Sequence, residues 1–481
     1  MSNRPETNKQ SCPVYKKCGG CQLQNLSYPE QLEFKQKKVE KLLKRFCTVE
    51  KIIGMKTPYH YRNKVQAAFY TDKKGKIISG VYQSGSHHVV GIDSCQTEDV
   101  IADKIIVAVR KLLPSFRMTT YNEDTGKGFL RHILVKRGFA TNQIMLVLVT
   151  GTPVFPSKNN FVKAILKQFP EITTIVQNIN PYRTNLVLGD NQKVLYGKGY
   201  IEDILCGCRF RISPKSFYQI NPVQTEVLYG KAIEFANLKG NETVLDTYCG
   251  IGTIGIIAAK NGAGNVIGAE LNGDAVRDAI VNARANNLKN IRFYKADAGE
   301  FMREAADEDE KPDVVFMDPP RAGSDRKFLD SLIKMSPKKV VYVSCNPETL
   351  ARDLAYLTQN SPYKAQKIQP VDMFPHTAHI ETVVKLVRKT PDAYVDLKVD
   401  MDELDLTASE AKATYEEIKQ YILDKYDTKV SNLYIAQVKE KYGIIERENY
   451  NKPKSANTKQ SQCPAEKAVM IEEAFKHFKM I

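Results

Sequence analysis

The chain has 481 residues, with 70 Lys and Arg against 55 Asp and Glu, a formal charge of +15 and a pI near 9.1. This length exceeds one ordinary domain, and neither a signal peptide nor an apolar run of the roughly 18 residues of a membrane span is evident. We therefore expect a multidomain cytoplasmic protein with no membrane partner. The basic excess favours a polyanionic partner, because each neutralised phosphate releases counterions, but it also fits a generally basic protein.

Residues 1–56 contain a cysteine cluster followed by a charged helical stretch. Cys12, Cys18 and Cys21 lie within ten residues of one another, and glycines before Cys21 permit a tight wrap. A tetrahedral zinc or a four-iron cluster requires a fourth soft ligand, for which Cys95 in GIDSCQ is the candidate. By spacing alone, the pattern favours zinc.

Residues 57–214 are typical of a β-rich domain. Short runs that alternate β-branched and polar residues are broken by Gly and Asn, which predicts an antiparallel, partly solvated sheet with one helix near FVKAILKQF. One wall of a basic cleft is expected from four side chains of this region, namely Arg62, Lys64, Arg131 and Lys136.

Residues 215–390 change to alternating strands and helices, which predicts a parallel doubly wound sheet. Its short apolar strands are TVLDT, NVIGAE, IRFYKAD, DVVFMD and KVVYVSC. AQKIQPVDM and IETVVKLVR then suggest a closing antiparallel hairpin. Residues 391–481 are charged and helical; VSNLYIAQVKEKYGI is typical of the second helix of a nucleic-acid module, and a helical appendage is equally compatible.

A glycine-rich turn follows the first strand of this sheet, in VLDTYCGIGTIGI at 244–256. Its glycines let a ligand approach the backbone at the carboxyl edge of the sheet. Glu270 ends the next strand, where a carboxylate can accept hydrogen bonds from ribose hydroxyls, and Asp297 ends the third, where it can receive an adenine amine. An ordinary strand–turn–helix packing motif is the alternative interpretation.

Three further chemical groups are expected at the same edge. Asp318 opens DPPRAG after the fourth strand, where two prolines stiffen the loop. Cys345 ends the fifth strand just before a helix, and a helix N-terminus lowers a thiol pKa as a nucleophile requires. Glu381 begins the final strand, which returns to this edge if it is antiparallel, so Glu381 is a candidate general base. The alternatives are a core cysteine and a solvated carboxylate.

Five segments occur in one order along the chain: SFYQINPVQTEVLY, DTYCGIGTIGI, DPPRAG, VSCNPETLARDL and FPHTAHIETVVKL. Together they resemble the RNA uridine-5-methyltransferase family over roughly residues 57–388. The resemblance implies a class I methyltransferase fold of the α/β type, S-adenosylmethionine as the cofactor, and Cys345 and Glu381 as nucleophile and base. The cofactor-contacting positions that it implies are Gln219, Tyr248, Thr253, Glu270, Asp297 and Asp318. Thr253 is a departure, since some relatives carry Asn there.

The expected chemistry needs both catalytic groups. Carbon 5 of uracil becomes nucleophilic only after a thiolate adds to carbon 6, and a base must later remove the proton from carbon 5. Asp318, Arg321 and Gln219 are candidates for a clamp on the pyrimidine edge. The target base must leave its stack, so a flipped base or a single-stranded loop is expected.

The resemblance also bears on the cysteine cluster. Ribosomal-RNA members of the family carry this C-x5-C-x2-C spacing plus a distant Cys as a [4Fe-4S] cluster, whereas tRNA members generally lack it. This implies a [4Fe-4S] cluster on Cys12, Cys18, Cys21 and Cys95, and 23S ribosomal RNA as the partner. The alternatives are a tRNA T-loop uridine-5-methyltransferase and a non-catalytic iron–sulfur RNA-binding protein. Nothing in the sequence sets the oligomeric state, and we expect a monomer.

The expected architecture is therefore an α/β protein in four parts. An N-terminal iron–sulfur segment (1–56) precedes a β-rich central RNA-binding domain (57–214), a class I methyltransferase domain with a doubly wound sheet (215–390) and a C-terminal helical extension (391–481). Many relatives carry a small β-barrel before the cysteine cluster. The present sequence places only a short segment there, so we expect RNA docking to rely on other parts of the chain.

Overall fold

The computed structural model describes residues 12–83, 86, 88–184, 186–308, 311–389, 413–442, 463–478 and 480–481. The chain divides into two compact units, Met1–Asp392 and Ala393–Ile481, and the first three expected parts lie within the first unit. Among the described helices, none has the length and apolar character needed to cross a bilayer.

The N-terminal segment contributes helices α1 (Tyr15–Cys18) and α2 (Tyr28–Leu43). A capping box starts α2: the carboxylate of Glu30 accepts from the backbone N–H and the hydroxyl of Ser27, each at 2.7 Å. Its buried residues recur every four positions, which gives the helix one stripe to place against the rest of the unit. They are Gln31, Lys35, Val39 and Leu43.

The central region forms a seven-stranded sheet in the order β3-β2-β1-β4-β5-β6-β7. The strands are β1 (Lys64–Thr71), β2 (Ile77–Tyr82), β3 (Val89–Gly91), β4 (Leu130–Arg137), β5 (Ile144–Thr150), β6 (Ile172–Ile179) and β7 (Asn191–Tyr196). Helices α3 (Val100–Leu112) and α4 (Lys158–Gln168) share one apolar core with the sheet, and a 3-10 turn spans Pro114–Phe116. A separate hairpin follows, with strands β8 (Ile201–Leu205) and β9 (Cys208–Ile212).

Two expectations for this region were wrong. The sheet is not fully antiparallel, because α4 crosses over and makes β5 and β6 a parallel pair. A second helix, α3, was also missed; the Asp99 carboxylate caps it by accepting from the N–H groups of Ile101 and Ala102.

The expected basic wall is also only partly formed. Arg131 is fully buried, and it donates to the carbonyls of Asn180 and Tyr182. Lys136 is buried as well and donates to the carbonyls of Ser213 and Ser216, each at 2.8 Å. Both side chains therefore brace the protein from inside, because buried polar groups require close polar partners, and burial lowers the pKa of Lys136 to about 7.

The next region forms the expected α/β sheet of seven strands, in the order β12-β11-β10-β13-β14-β16-β15. The strands are β10 (Thr243–Asp246), β11 (Asn265–Glu270), β12 (Ile291–Lys295), β13 (Val314–Met317), β14 (Lys339–Ser344), β15 (Tyr363–Val371) and β16 (Glu381–Arg388). The helices are α5 (Pro222–Ala236), α6 (Thr253–Lys260), α7 (Gly273–Ala285), α8 (Ala298–Asp307), α9 (Arg326–Met335) and α10 (Pro347–Asn360). The first five strands are parallel, and β16 is antiparallel to β14 and β15. The strand order reverses beside β10, which opens a crevice at the carboxyl edge.

The C-terminal unit contains three described helices, α11 (Tyr415–Tyr426), α12 (Asn432–Lys441) and α13 (Ala465–His477). They enclose a core of their own that includes Ile418, Ile422, Ile435, Ile471 and Phe475. The helical character expected here agrees with these elements. The polar stretch NYNKPKSANTKQSQ lies outside the described residues.

A buried ion pair joins α2 to the segment after β15. Lys35 Nζ donates to Asp372 Oδ1 at 2.6 Å and to the Phe374 carbonyl at 3.0 Å, and both charged side chains are fully buried. The Tyr28 hydroxyl donates to the other carboxylate oxygen at 2.9 Å. The Asp372 carboxylate thus has a partner for each oxygen, which is the condition for burying a charge.

We expect Lys35→Met to lower the free energy of unfolding by roughly 3–5 kcal/mol, because it leaves the Asp372 carboxylate buried without its cation. Urea unfolding followed by circular dichroism measures the change. Lys37→Met is the matched control, since the Lys37–Glu33 pair is exposed, and it should leave the unfolding curve nearly unchanged. A loss for Lys35→Met no larger than that of the control would contradict a structural role for the pair.

Candidate active site

The glycine-rich turn after β10 is shaped for close approach of a ligand. Gly252 has a φ of +83°, and a Cβ there would lie 2.8 Å from the Phe293 ring. The N–H of Gly255 donates to Asp246 Oδ2 at 2.8 Å, which ties the turn to the end of β10. The other oxygen, Asp246 Oδ1, is buried and has no hydrogen-bond partner within the described part of the chain. Burial raises the pKa of Asp246 to about 7. The turn therefore offers an unused polar atom to a ligand.

Two of the expected cofactor residues stand beside this turn. The Glu270 carboxylate accepts from the N–H groups of Gly250, at 3.1 Å, and Asn272, at 2.7 Å. Tyr248 packs on Phe328 with ring centroids 5.5 Å apart. Burial and the nearby carboxylates of Asp325 and Asp297 raise the pKa of Tyr248 to about 12. The Asp297 carboxylate therefore lies close enough to Tyr248 to influence its charge.

Asp297 itself caps α8, with Oδ1 accepting from the N–H groups of Gly299 at 2.9 Å and Glu300 at 3.2 Å. This local role fixes the direction of the carboxylate at the end of the β12 segment. The structure thus brings together the turn and three of the expected cofactor residues, namely Tyr248, Glu270 and Asp297.

A buried tyrosine that the sequence analysis did not single out contacts the remaining residues expected to bind the cofactor. Tyr229, in α5, is buried, and its hydroxyl interacts with the side chains of Gln219 and Thr253. Burial and the Asp318 carboxylate raise its pKa above the usual range, so the phenol stays neutral. Tyr229 ends the SFYQINPVQTEVLY motif, and its position in that motif was the only signal that could have found it.

Asp318, Cys345 and Glu381 occupy the ends of three neighbouring strands. Asp318 follows β13, Cys345 follows β14, and Glu381 begins β16, whose Thr382 pairs with Ser344. Because β16 runs antiparallel to β14, its start and the end of β14 meet at one edge. The expected juxtaposition of thiol and carboxylate is thus present in the structure.

The electrostatics of this edge differ from the sequence expectation. The helix after Cys345 was expected to lower the thiol pKa, but burial and the Glu381 and Asp318 carboxylates raise it to about 11, against a smaller lowering by Arg321. Burial and Asp318 raise the pKa of Glu381 well above its usual range. Burial and Asp246 raise that of Asp318 to about 7. Burial is thus the largest cause of the raised thiol pKa, and each neighbouring carboxylate adds to it because it disfavours a second negative charge.

Arg321 supplies the opposing positive charge, and its loop is fixed to the helix that follows Cys345. The Arg321 carbonyl accepts from Asn346 Nδ2 at 3.1 Å and from Thr349 Oγ1 at 3.3 Å. Arg352 Nη2 donates to the carbonyls of Ala322, at 2.9 Å, and Ser324, at 3.1 Å. The DPPRAG loop and the turn that carries Cys345 are therefore positioned by one helix, α10.

The two histidines of FPHTAH have different positions. His376 is buried with a φ of +69°, and its loop is held by the N-terminal segment: its N–H donates to Gln31 Oε1 at 2.8 Å, and its carbonyl accepts from Leu23 N–H at 2.9 Å. His379 reaches the surface. The protein around its ring removes part of the ring's hydration, and this desolvation and the charge of Arg321 lower its pKa. His376 is thus a support for the loop that precedes Glu381.

The four cysteines of the expected cluster line one pocket. Burial and the neighbouring thiol of Cys95 raise the pKa of Cys21 to about 12, and Cys18 and Cys12 add to the rise. The N–H of Cys95 donates to Asp103 Oδ2 at 2.8 Å, which fixes the backbone at the most distant of the four cysteines. Within the described ranges, no three His, Cys, Asp or Glu side chains converge closely enough to hold a single metal ion. The thiols surround a shared space.

Comparison with known proteins assigns the family. The family model for tRNA (Uracil-5-)-methyltransferase matches residues 183–389. A protein of Bacillus cereus named as an uncharacterized RNA methyltransferase is 44% identical over 389 residues, which are 80% of this chain and 84% of that protein. A Listeria monocytogenes protein of the same printed description is 46% identical over 379 residues, with 78% and 83% covered.

A solved structure agrees with these relatives. The Pyrococcus abyssi tRNA (uracil-54, C5)-methyltransferase in complex with S-adenosyl-L-homocysteine matches with a TM-score of 0.65 and 31% identity, over 79% of this chain and 88% of that one. The chain belongs to the RNA uracil-5-methyltransferase family. It is an S-adenosylmethionine-dependent RNA methyltransferase, and the expected class I α/β fold is confirmed.

We expect Glu381→Gln to lower the pKa of Cys345 from about 11, because a neutral amide removes the larger of the two carboxylate contributions to it. Iodoacetamide labelling of the Cys345 peptide, followed by mass spectrometry from pH 7 upward, gives the midpoint of thiolate formation. The matched control is Glu348→Gln, which removes a carboxylate at the start of α10 that is paired with Lys38. Equal midpoints for wild type and Glu381→Gln would show that the two groups are not coupled.

Proposed function

We propose that this enzyme methylates carbon 5 of a uridine in 23S ribosomal RNA through a covalent adduct between Cys345 and carbon 6. The observation that carries the proposal is the meeting of Asp318, Cys345 and Glu381 at adjacent strand ends, beside Arg321 and the glycine turn. A thiol alone would fit many roles. A thiol with a buried carboxylate and one cation fits addition to a pyrimidine followed by removal of a proton.

Each group has a distinct part in the reaction. Cys345 Sγ forms a bond to carbon 6 of the uracil, and the displaced electron pair makes carbon 5 nucleophilic. S-adenosylmethionine supplies the electrophilic methyl group at its sulfonium. Glu381 then takes the proton from carbon 5, the Sγ–C6 bond breaks, and the cysteine is free again. Arg321 lowers the pKa of both Cys345 and Glu381, so it favours the thiolate and the carboxylate that these steps require.

The residues around the glycine turn fit S-adenosylmethionine. The unused oxygen of Asp246 offers an acceptor to a polar hydrogen of the co-substrate, and the absence of Cβ atoms in the turn leaves room for close approach. The residues that would hold it are Gln219, Tyr248, Thr253, Glu270, Asp297 and Asp318. Glu270 is suited to ribose hydroxyls, since its carboxylate is already oriented by two backbone N–H groups.

The cysteine pocket supports a [4Fe-4S] cluster on Cys12, Cys18, Cys21 and Cys95. Four thiols around a shared space fit a multi-iron cluster, in which each cysteine binds a different iron. A single zinc ion would instead require the sulfurs to converge on one point. Gly20 supports the wrap, because a Cβ there would lie 3.3 Å from Cys18 Sγ. The ribosomal-RNA assignment rests on the resemblance of this cluster to that of the ribosomal-RNA members.

A tRNA T-loop uridine is the second candidate substrate. It is favoured by the name of the Pyrococcus abyssi structure, a tRNA (uracil-54, C5)-methyltransferase, and by the description of the family model. Both candidates require the same catalytic groups and an unstacked uridine.

Nucleoside mass spectrometry separates the two substrates. Ribosomal RNA and tRNA that lack 5-methyluridine are incubated separately with S-adenosylmethionine and the full-length protein. We expect methyl uptake by ribosomal RNA, and a fall of at least about a thousandfold for Cys345→Ala, because the proposed adduct forms through the Cys345 sulfur. Cys47→Ala is the control for loss of a thiol outside the sheet edge. Uptake by tRNA alone would transfer the assignment to the second candidate, and retained activity in Cys345→Ala would overturn the adduct.

Metal analysis tests the cluster. Protein purified without oxygen should contain about four iron atoms per chain, and Cys95→Ser should lose most of them, because a cubane cluster needs all four thiolates. Cys47→Ser, which alters a cysteine outside the pocket, should keep its iron. About one zinc per chain without iron would instead establish the zinc site that the cysteine spacing alone favours.

A further inference from the structure

The central sheet has an open cleft on the face away from α3 and α4. The side chains of Val65, Ala67 and Phe69 point into the core shared with these helices, whereas Gln66 points to the other face. Gln66 is exposed although β1 lies between β2 and β4 inside a seven-stranded sheet. The protein therefore leaves this part of an inner strand uncovered.

The cleft has a volume of about 500 Å³, within the range of small-molecule sites, and most of its lining residues carry polar groups. Its main lining residues are Gln66, Tyr82, Glu123, Asp124, His132 and Arg183. Two contacts fix its rim. Arg131 Nη2 donates to both carboxylate oxygens of Glu123 at 3.0 Å, and Arg183 Nη2 donates to the Asp124 carbonyl at 2.7 Å.

Among the side chains of this cleft, His132 gives the clearest indication that a ligand binds here. It is only 5% exposed, and its Nδ1 has no hydrogen-bond partner among the described residues. Burial and the neighbouring Arg131 lower the pKa of His132 to about 4, so the ring is neutral near pH 7 and presents one donor and one acceptor. A buried polar atom without a partner is costly, and a ligand edge would supply the missing bond.

The composition of the cleft indicates the class of ligand. A phosphate is disfavoured, because His132 is uncharged and two carboxylates, of Glu123 and Asp124, belong to the lining. An imidazole and an amide can each donate and accept, which matches the mixed edge of a nucleobase. The Tyr82 ring stands edge-on to His132 with centroids 6.0 Å apart, and it offers an aromatic surface in the same cleft.

The cleft also lies close to the catalytic edge. At the start of β1, the N–H of Asn63 donates to the Ile220 carbonyl at 2.9 Å, and Asn63 Nδ2 donates to the Gln219 carbonyl at 3.1 Å. Gln66 is three residues further along the strand, which is about 10 Å at the usual rise. An RNA strand that enters the catalytic edge near Gln219 can therefore reach the cleft within a few nucleotides.

We propose that this cleft binds one unstacked nucleobase of the substrate RNA, a near neighbour of the methylated uridine, through His132 and Gln66 on its polar edge and Tyr82 beside its ring. The proposal rests on the proposed function for the position of the methylated uridine. It adds a second point of base recognition to that function, because the cleft contains polar groups that can discriminate between bases.

A binding experiment that needs no methyl transfer tests the cleft. The probe is the ribosomal RNA fragment that the full-length protein protects from nuclease, resynthesised with an abasic nucleotide at each position in turn. For wild type, one position near the target should weaken binding about tenfold, the size expected for the loss of one stacked base. Gln66→Ala and His132→Gln should weaken binding of the intact fragment by a similar factor, and a melting curve verifies that each variant is folded.

The decisive measurement combines the two changes. At the sensitive position, abasic RNA and Gln66→Ala together should weaken binding about tenfold in total, because both remove the same contact. Gln168→Ala, an exposed glutamine on α4 at the opposite face, is the matched control and should bind like wild type. The proposal would be overturned if the losses of affinity from abasic RNA and from Gln66→Ala multiplied in full at every position. Unchanged RNA binding by both cleft variants, or the absence of any protected fragment, would also overturn it.

The outcomes also separate the two proposals. If an RNA is methylated but the abasic scan is not altered by the cleft variants, only the cleft assignment fails. If no RNA is methylated and the coupling at one position is nevertheless found, only the proposed reaction fails.

Discussion

Several buried acids share one sheet edge, and the rest of the catalytic unit depends on accommodating them. Asp246, Asp318 and Glu381 are held at neighbouring strand ends together with the Cys345 thiol, and burial is the largest cause of the raised pKa in each. In a site of low polarity, each negative charge disfavours the next, so protons are retained near neutral pH. Such a site can pass protons between groups whose pKa values have been moved toward the working pH.

The arrangement needs a rigid frame, because crowded charges would otherwise move apart. Helix α10 provides one side of it by binding the backbone of the DPPRAG loop through Asn346, Thr349 and Arg352. The N-terminal segment provides the other side. It reaches the FPHTAH loop through Gln31 and Leu23, and the Lys35–Asp372 pair anchors α2 beside it. Three of the four pocket cysteines, Cys12, Cys18 and Cys21, thus belong to the segment that supports the strand carrying Glu381.

In the central sheet, two of the basic side chains expected to contact RNA phosphates are buried in the protein instead. Arg131 and Lys136 are buried and bind carbonyl groups, so they stiffen the sheet and its junction with the 213–216 segment. Affinity for phosphates must come from other, exposed side chains. The open face above β1 instead presents Gln66 and the uncharged His132 between charged rim residues, and such polar groups suit base edges.

The sequence by itself predicted the parallel α/β sheet and the closing antiparallel hairpin that returns Glu381 to the Cys345 edge, whereas the order of the strands in the sheet came from the structure. These features follow from local patterns: apolar strands at wide spacing, a glycine turn, and a final hairpin. The spacing also grouped Cys12, Cys18 and Cys21, whereas Cys95 was a candidate from a distant segment; the structure places all four around one pocket. Local patterns are visible in a sequence because each depends on residues a few positions apart.

Only the tertiary structure decided how charges behave at the site. The thiol pKa is raised rather than lowered, because the assembled fold buries Cys345 and brings Glu381 and Asp318 to it from other strands, and no local pattern reports either effect. The burial of Arg131, the parallel pairing of β5 with β6, and the roles of Tyr229 and Asp246 Oδ1 likewise depend on contacts between distant segments. Burial and the charges of residues distant in sequence are properties of the assembled fold. They set the pKa values and hydrogen bonding of site residues whose positions alone could be predicted from the sequence.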